Sequence, residues 1–184
     1  MGEGVAIVAT GAGLLTAGAL VGVVVVGASV ASSEPADPWA DLGLKQTSQA
    51  TPQTGQDCAA VMFGEVRQVA ANRECRSITR TLLVVSDGKG TSAAVTVSWV
   101  EFGQRRDARE FRRVEDVHGT GDITPLPGAA AGIRDVAFSA LHYTSALNAS
   151  TVIVAEAEPL EGAPGDDLLR EITGVAVLLD RPTG

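Results

Sequence analysis

At 184 residues, 45% apolar and 20% charged, the chain has the composition of a folded protein with one compact core rather than a disordered one. Its 22 acidic side chains against 14 basic ones leave a formal charge of −8, so a nucleic-acid surface would need a basic patch strong enough to overcome the general field. Nucleic acid is therefore not an expected partner.

From Val5 to Ala31 the sequence runs VAIVATGAGLLTAGALVGVVVVGASVA without a charge. As a helix it would be roughly 40 Å long, more than the roughly 30 Å of a bilayer's hydrocarbon layer. Residues 1–31 are expected to form a transmembrane helix or uncleaved signal anchor, with the lipid bilayer as partner. Ser29 and Ala31 put small residues where a signal peptidase cuts, so a cleaved signal peptide is one alternative and a buried core helix another. The length of the run, and Glu3 where a basic flank belongs, favour retention. The flank SSEPADPWAD carries no Lys or Arg, which favours exporting that side, and Trp39 stands where an interfacial aromatic would sit. Gly11, Gly18, Gly22 and Ser29 share one helical face. That face reflects either the ordinary abundance of glycine in membrane helices or close packing on a helix of another copy or subunit.

Residues 32–56 are rich in Pro, Ser, Thr, Gln and Ala and poor in bulky apolar side chains, which predicts a flexible linker. An α+β domain is expected over 57–184. Its first helix is predicted from about Cys58 to Asn72, with Met62, Val66 and Val69 at helical spacing and Asp57 as N-cap. SITRTLLVV and SAAVTVSWVEF, separated by SDGKGT, predict a hairpin turning at Asp87-Gly88. In its second strand Val95, Val97 and Trp99 share a face expected to be covered, with Thr96 and Ser98 on a more polar one.

A second helix, about Gln104 to Val117, is expected to pack over that covered face. It carries Arg105, Arg106, Arg109, Arg112 and Arg113, a local excess able to meet an anionic headgroup, a carboxylated glycan or an acidic partner. The interleaved Asp107, Glu110, Glu115 and Asp116 also allow a solvated face laced with i,i+4 pairs. A second hairpin is predicted from VAFSALHYTSA and STVIVAEAE around Leu147-Asn148. A last helix follows at about Asp166 to Leu179, with Leu168, Ile172, Val175 and Leu179 as its apolar stripe. The predicted architecture is α+β: an antiparallel sheet built from two hairpins with about three packed helices.

Cys58 and Cys75 are the only cysteines. A straight helix between them would hold the sulfurs apart, since the Cα atoms must come within about 7 Å. If they pair, the helix is shorter than drawn or Cys58 folds back. An even pair behind an export-like segment favours a disulfide over two free thiols. Their spacing fits no metal motif. No GxSxG, HExxH, P-loop or strand-following GxGxxG occurs, so no catalytic residue, metal or cofactor is expected. The loop from His118 to Asp122, HGTGD, is the best place to look for acid–base chemistry, though such loops are more often polar turns. His142 reads as a half-buried structural residue.

Leu126-Pro-Gly128 followed by Gly132-Ile-Arg-Asp135-Val-Ala137-Phe138 resembles the GLGDxA-aromatic signature of small actinobacterial envelope proteins, among them the DUF3558-type lipoproteins and the sensor domain of the PknH kinase. The use of twelve arginines against two lysines, in a chain rich in Ala, Gly and Val, is similar to that of high-GC actinobacterial proteins. The resemblance extends over about Cys58 to Leu179 and implies an extracytoplasmic binding or sensing module; no catalytic residue carries over from it. The expected function is a non-enzymatic, single-pass, membrane-anchored module of the bacterial cell envelope with a protein partner. An accessory subunit of a larger membrane complex is the first alternative, and a secreted hydrolase using His118 or His142 the second.

Overall fold

The computed structural model describes residues 36–182. The expected transmembrane helix 1–31, with its face of Gly11, Gly18, Gly22 and Ser29, lies outside the described residues. Among those described, no helix is long and apolar enough to cross a membrane. In chain order the elements are β1 (Lys45–Gln49), β2 (Gln53–Gly55), β3 (Met62–Phe63), α1 (Gly64–Asn72), β4 (Cys75–Ser86), β5 (Ser92–Phe102), α2 (Arg105–Glu115), β6 (Gly121–Ile123), β7 (Tyr143–Asn148), β8 (Thr151–Glu161) and α3 (Asp166–Ala176). The fold is α+β, with an antiparallel sheet ordered β1-β4-β5-β8-β7 and β2 pairing farther along β4.

The β4–β5 hairpin forms where the sequence predicts it, paired from Ser86↔Ser92 to Cys75↔Phe102. Its turn is held by Asp87, whose Oδ1 accepts from the backbone N–H of Lys89 (2.7 Å) and Thr91 (3.0 Å), while Gly88 supplies the positive φ of 68°. Alternation along β5 was expected to put Thr96 and Ser98 on the more polar face. Both are nevertheless buried, because helices and loops cover the two faces of the sheet.

One face is closed by α3. Its Leu169, Ile172 and Ala176 form a single apolar cluster with Val95, Val97 and Trp99 of β5 and Ile153, Ala155 and Ala157 of β8. The helix α2, expected on this face, lies on the opposite one. There Ala108 and Phe111 pack with Val100, Phe102, Val152 and Val154, and the Phe102 and Phe111 ring centroids are 5.2 Å apart. A third cluster, Leu82, Val84, Ala94, Leu126 and Ala131, occupies the far end of that same face. Between the two clusters runs a row of polar positions, since Arg80 pairs with Ser98 and Thr96 with Glu156.

The expected linker is corrected over its described part. Residues 45–49 and 53–55 are strands on β4, and Trp39 (1% exposed), Leu44 and Ala50 are buried. The polar composition of this stretch misled because an edge strand with exposed side chains is held through its backbone, here with three apolar anchors. Trp39 belongs to the core under α3 and is not an interfacial aromatic.

The predicted first helix is interrupted: Cys58–Val61 is a 3-10 turn, β3 pairs with β6, and the helix proper starts at Gly64. That break folds Cys58 back so that its Cα lies 6.4 Å from that of Cys75, and the two form a disulfide. The second predicted hairpin is shorter than expected. Residues 136–142 form a loop, and the turn between β7 and β8 sits at Ala149, with φ 51°.

Candidate functional site

The loop His118-Gly-Thr-Gly-Asp122 gets its shape from two backbones in contact. A Cβ on Gly121 would stand 2.1 Å from the Phe63 carbonyl oxygen, and one on Gly64 2.3 Å from that of Thr120. Only glycine allows this crossing, which pins β6 to the segment before α1. Thr120 Oγ1 turns back to the carbonyls of Val114 and Val117, 2.8 Å from each, at the C-terminal end of α2.

This loop forms one wall of a cleft. A small inner cavity of about 80 Å³ is lined by Glu115, Asp116, His118, Asp122, Ala140 and Tyr143 among others. An outer depression of about 270 Å³ shares His118, Gly119, Gly121, Asp122 and Ala140 with it and adds Phe63 and Phe138. Phe63 is 54% exposed, so the mouth is partly apolar while the floor is acidic.

Two carboxyls, Glu115 and Asp122, line that floor, and Glu156 adjoins them without lining the cavity. Glu115 is 6% exposed at the end of α2, and Glu156 is 3% exposed on β8, on the same face as Val152 and Val154. Asp122 lies within hydrogen-bonding reach of both. No N–H or O–H among the described residues donates to either oxygen of Glu115. Its hydrogen bond to Asp122 therefore exists only when one of the two carboxyls carries a proton. Burial first, then the charge of Asp122, pushes Glu115 up to about 9; the same two causes push Glu156 up to about 8. At neutral pH the floor thus holds protons that exposed carboxyls would have lost.

The rim is held by a separate network. Asp116 Oδ1 accepts from the Tyr143 hydroxyl (2.9 Å) and the Ser145 hydroxyl (2.5 Å), and Arg112 donates to Ser145 Oγ (2.7 Å) and to its carbonyl (3.0 Å). Burial, with Glu115 and Asp116 nearby, raises the Tyr143 phenol and keeps it protonated. On the opposite rim Ala140 has φ 58°, and its N–H donates to Glu156 Oε2 at 2.9 Å. A non-glycine residue held in this strained region beside a cleft is a feature that recurs at binding sites.

The five arginines of α2 do not converge on one point. Arg112 is held by Ser145 and Asp116, Arg105 donates to the Ala149 carbonyl at 3.1 Å, and Arg106 lies 3.5 Å from Asp107. Arg109 and Arg113 are exposed. Glu115, one of the interleaved acids, lies on the buried face with Ala108 and Phe111. His142 is buried, its Nε2 3.2 Å from Asp166 Oδ1, and so is directed at α3 and away from the cleft. His118 does face it.

Sequence reasoning located the HGTGD loop but missed Glu115 and Glu156 as its partners. Two signals were present. Glu115 follows Ala108 and Phe111 at i+7 and i+4, which continues an apolar helical face into a carboxylate. Glu156 follows Val152 and Val154 at the strand period of two. Asp135, in the sequence resembling GLGD, accepts from the Gly128 N–H at 2.8 Å and so closes its own loop. No protein-family model, curated protein or solved structure matches the chain.

Proposed function

We propose that the chain is a non-enzymatic binding or sensing module, anchored in a bacterial membrane by residues 1–31 and presenting its α+β domain on the extracytoplasmic side, with the Glu115–Asp122 cleft as its ligand site. The observation that carries the ligand site is Glu115, buried at the floor of a cleft with no donor to either oxygen. A buried carboxyl that must keep a proton against its neighbour costs stability at neutral pH, and such groups are retained where a ligand uses them. The Cys58–Cys75 disulfide supports the extracytoplasmic side, since such bonds persist in oxidising compartments. The likeness to the DUF3558-type proteins and the PknH sensor domain points the same way.

A second reading is an accessory subunit of a larger membrane complex. Leu178, just past α3, is 80% exposed and borders a groove of about 390 Å³ lined by Trp99, Ala146, Leu147, Ile153 and Leu179 among others, a surface suited to a protein neighbour. The five α2 arginines, as a site for an anionic partner, belong to the same reading.

Cell fractionation combined with thiol alkylation tests the placement. The intact chain is expected in the membrane fraction, with both cysteines alkylated only after reduction. Recovery from the cytosol with two free thiols would contradict it. Extraction in mild detergent followed by native mass spectrometry separates the module from the subunit: a lone monomer supports the first and a stable hetero-complex the second.

A further inference from the structure

We propose that the cleft takes an alkylammonium group, the chemistry of a lysine side chain or a free primary amine, which seats its N–H donors on Glu115 and Asp122. This inference rests on the reading of the cleft as a ligand site and names the ligand class.

The floor offers only acceptors once it is ionised, so the complementary group is a donor that also brings positive charge. A metal ion is a poorer match, because among the described residues no three His, Cys, Asp or Glu side chains are disposed to hold one. The dimensions favour a slender cation. The inner cavity of about 80 Å³ suits an ammonium and its first methylenes, and the outer depression lined by Phe63 and Phe138 suits an aliphatic stem. Every charged or titratable group that faces the floor is accounted for. Glu115 and Asp116 come from the end of α2, His118 from the loop, Asp122 from β6, Tyr143 from β7, and Glu156 and Glu158 from β8. The cation nearest this set, Arg112, is already held by Asp116 and Ser145. Glu158 is also engaged, accepting from the Ser139 backbone N–H at 3.0 Å. Glu115 is left without a donor.

Because entry of the ammonium releases a proton from the floor, its affinity rises with pH up to the point where Glu156 and Glu115 ionise unaided. With one proton displaced, the gain is about tenfold per pH unit.

The test is an amide NMR titration of the full chain at pH 6, 7 and 8 with n-butylammonium, with uncharged n-butanol, with Ca²⁺ and with the capped peptide acetyl-Gly-Lys-Gly-amide. Butylammonium is expected to shift the Gly119, Gly121 and Ala140 signals, with affinity rising about tenfold per pH unit. Glu115→Gln, which copies the protonated carboxyl and so preserves the fold, is expected to weaken binding at least tenfold, and Asp122→Asn likewise. Tighter binding of the peptide than of butylammonium assigns the cation to a protein's lysine; equal or weaker binding assigns it to a free amine. Shifts of equal size from butanol, a pH-independent affinity, or unchanged binding in both variants would overturn the cation while leaving the cleft a binding site. Binding of Ca²⁺ alone would replace the ammonium with a metal. If no probe moves the cleft signals, both the cation and the ligand-site reading fall.

Discussion

The two faces of the central sheet are built on opposite plans. Under α3 the face is continuous and apolar from Trp39 and Leu44 through Val95 to Ile172 and Val177. Under α2 the apolar surface is split into two clusters, and at the break lie Glu115, Asp122 and Glu156, two of them nearly inaccessible to water. The α3 face supplies stability. Buried carboxyls on the other face oppose stability at neutral pH and are expected where function needs them. The lesson is that β8 changes role partway along a single face, apolar at Val152 and Val154 and acidic at Glu156, within one regular strand.

The largest effects are expected from breaking the apolar face. Trp39→Ala removes a fully buried indole from a stretch that composition alone reads as a tether, and about 3–5 kcal/mol of stability is expected to go with it, read as the midpoint of chemical denaturation. A change under about 0.5 kcal/mol would return residues 36–56 to the status of a linker. Next is the disulfide that folds the start of the α1 segment back onto β4. The double substitution Cys58→Ser with Cys75→Ser is expected to lower stability by about 3 kcal/mol for the 17-residue separation, with the m-value recording any loosening of the unfolded chain.

The acidic face is sharpened by pH. Glu115 and Glu156 bind protons more tightly in the folded chain than in the unfolded one, so their contribution is fully present below about pH 4.5 and is lost as pH rises through about 8 to 9. Stability in the absence of ligand is therefore expected to fall between pH 5 and pH 9, on the order of 1 kcal/mol per pH unit for each proton retained. Glu115→Gln is expected to flatten that slope. An unchanged slope in this variant would remove Glu115 from the account. The smallest effect is expected at Arg109→Ala and Arg113→Ala, two exposed positions whose loss should change stability by less than about 0.5 kcal/mol, measured by the same denaturation midpoint.

What was legible in the sequence follows the same division. The β4–β5 hairpin was readable because β-branched residues flank Asp87-Gly88 on both sides, and α3 was readable as a helix, although it ends at Ala176 and buries Leu169 and Ala176 rather than the expected Leu168 and Val175. The segment 45–55 was not, since an edge strand such as KQTSQ is held by backbone pairing to β4 that side-chain composition does not encode. The break at Met62–Phe63 depends on the approach of Gly121 to Phe63, a contact between distant parts of the chain. The floor of the cleft was half legible: its loop was marked by HGTGD, and the periodicity put Glu115 and Glu156 on buried faces, but nothing local told that the fold would bring them together beside that loop.

The most direct test of the contrast between the faces is a ¹³C NMR titration of the Glu115 and Glu156 side-chain carboxyls in the ligand-free chain. Both are expected to ionise well above the ordinary carboxylate range. Midpoints near the usual 4 to 5 for both would show an ordinary solvated surface beneath α2 and would contradict the account at its centre.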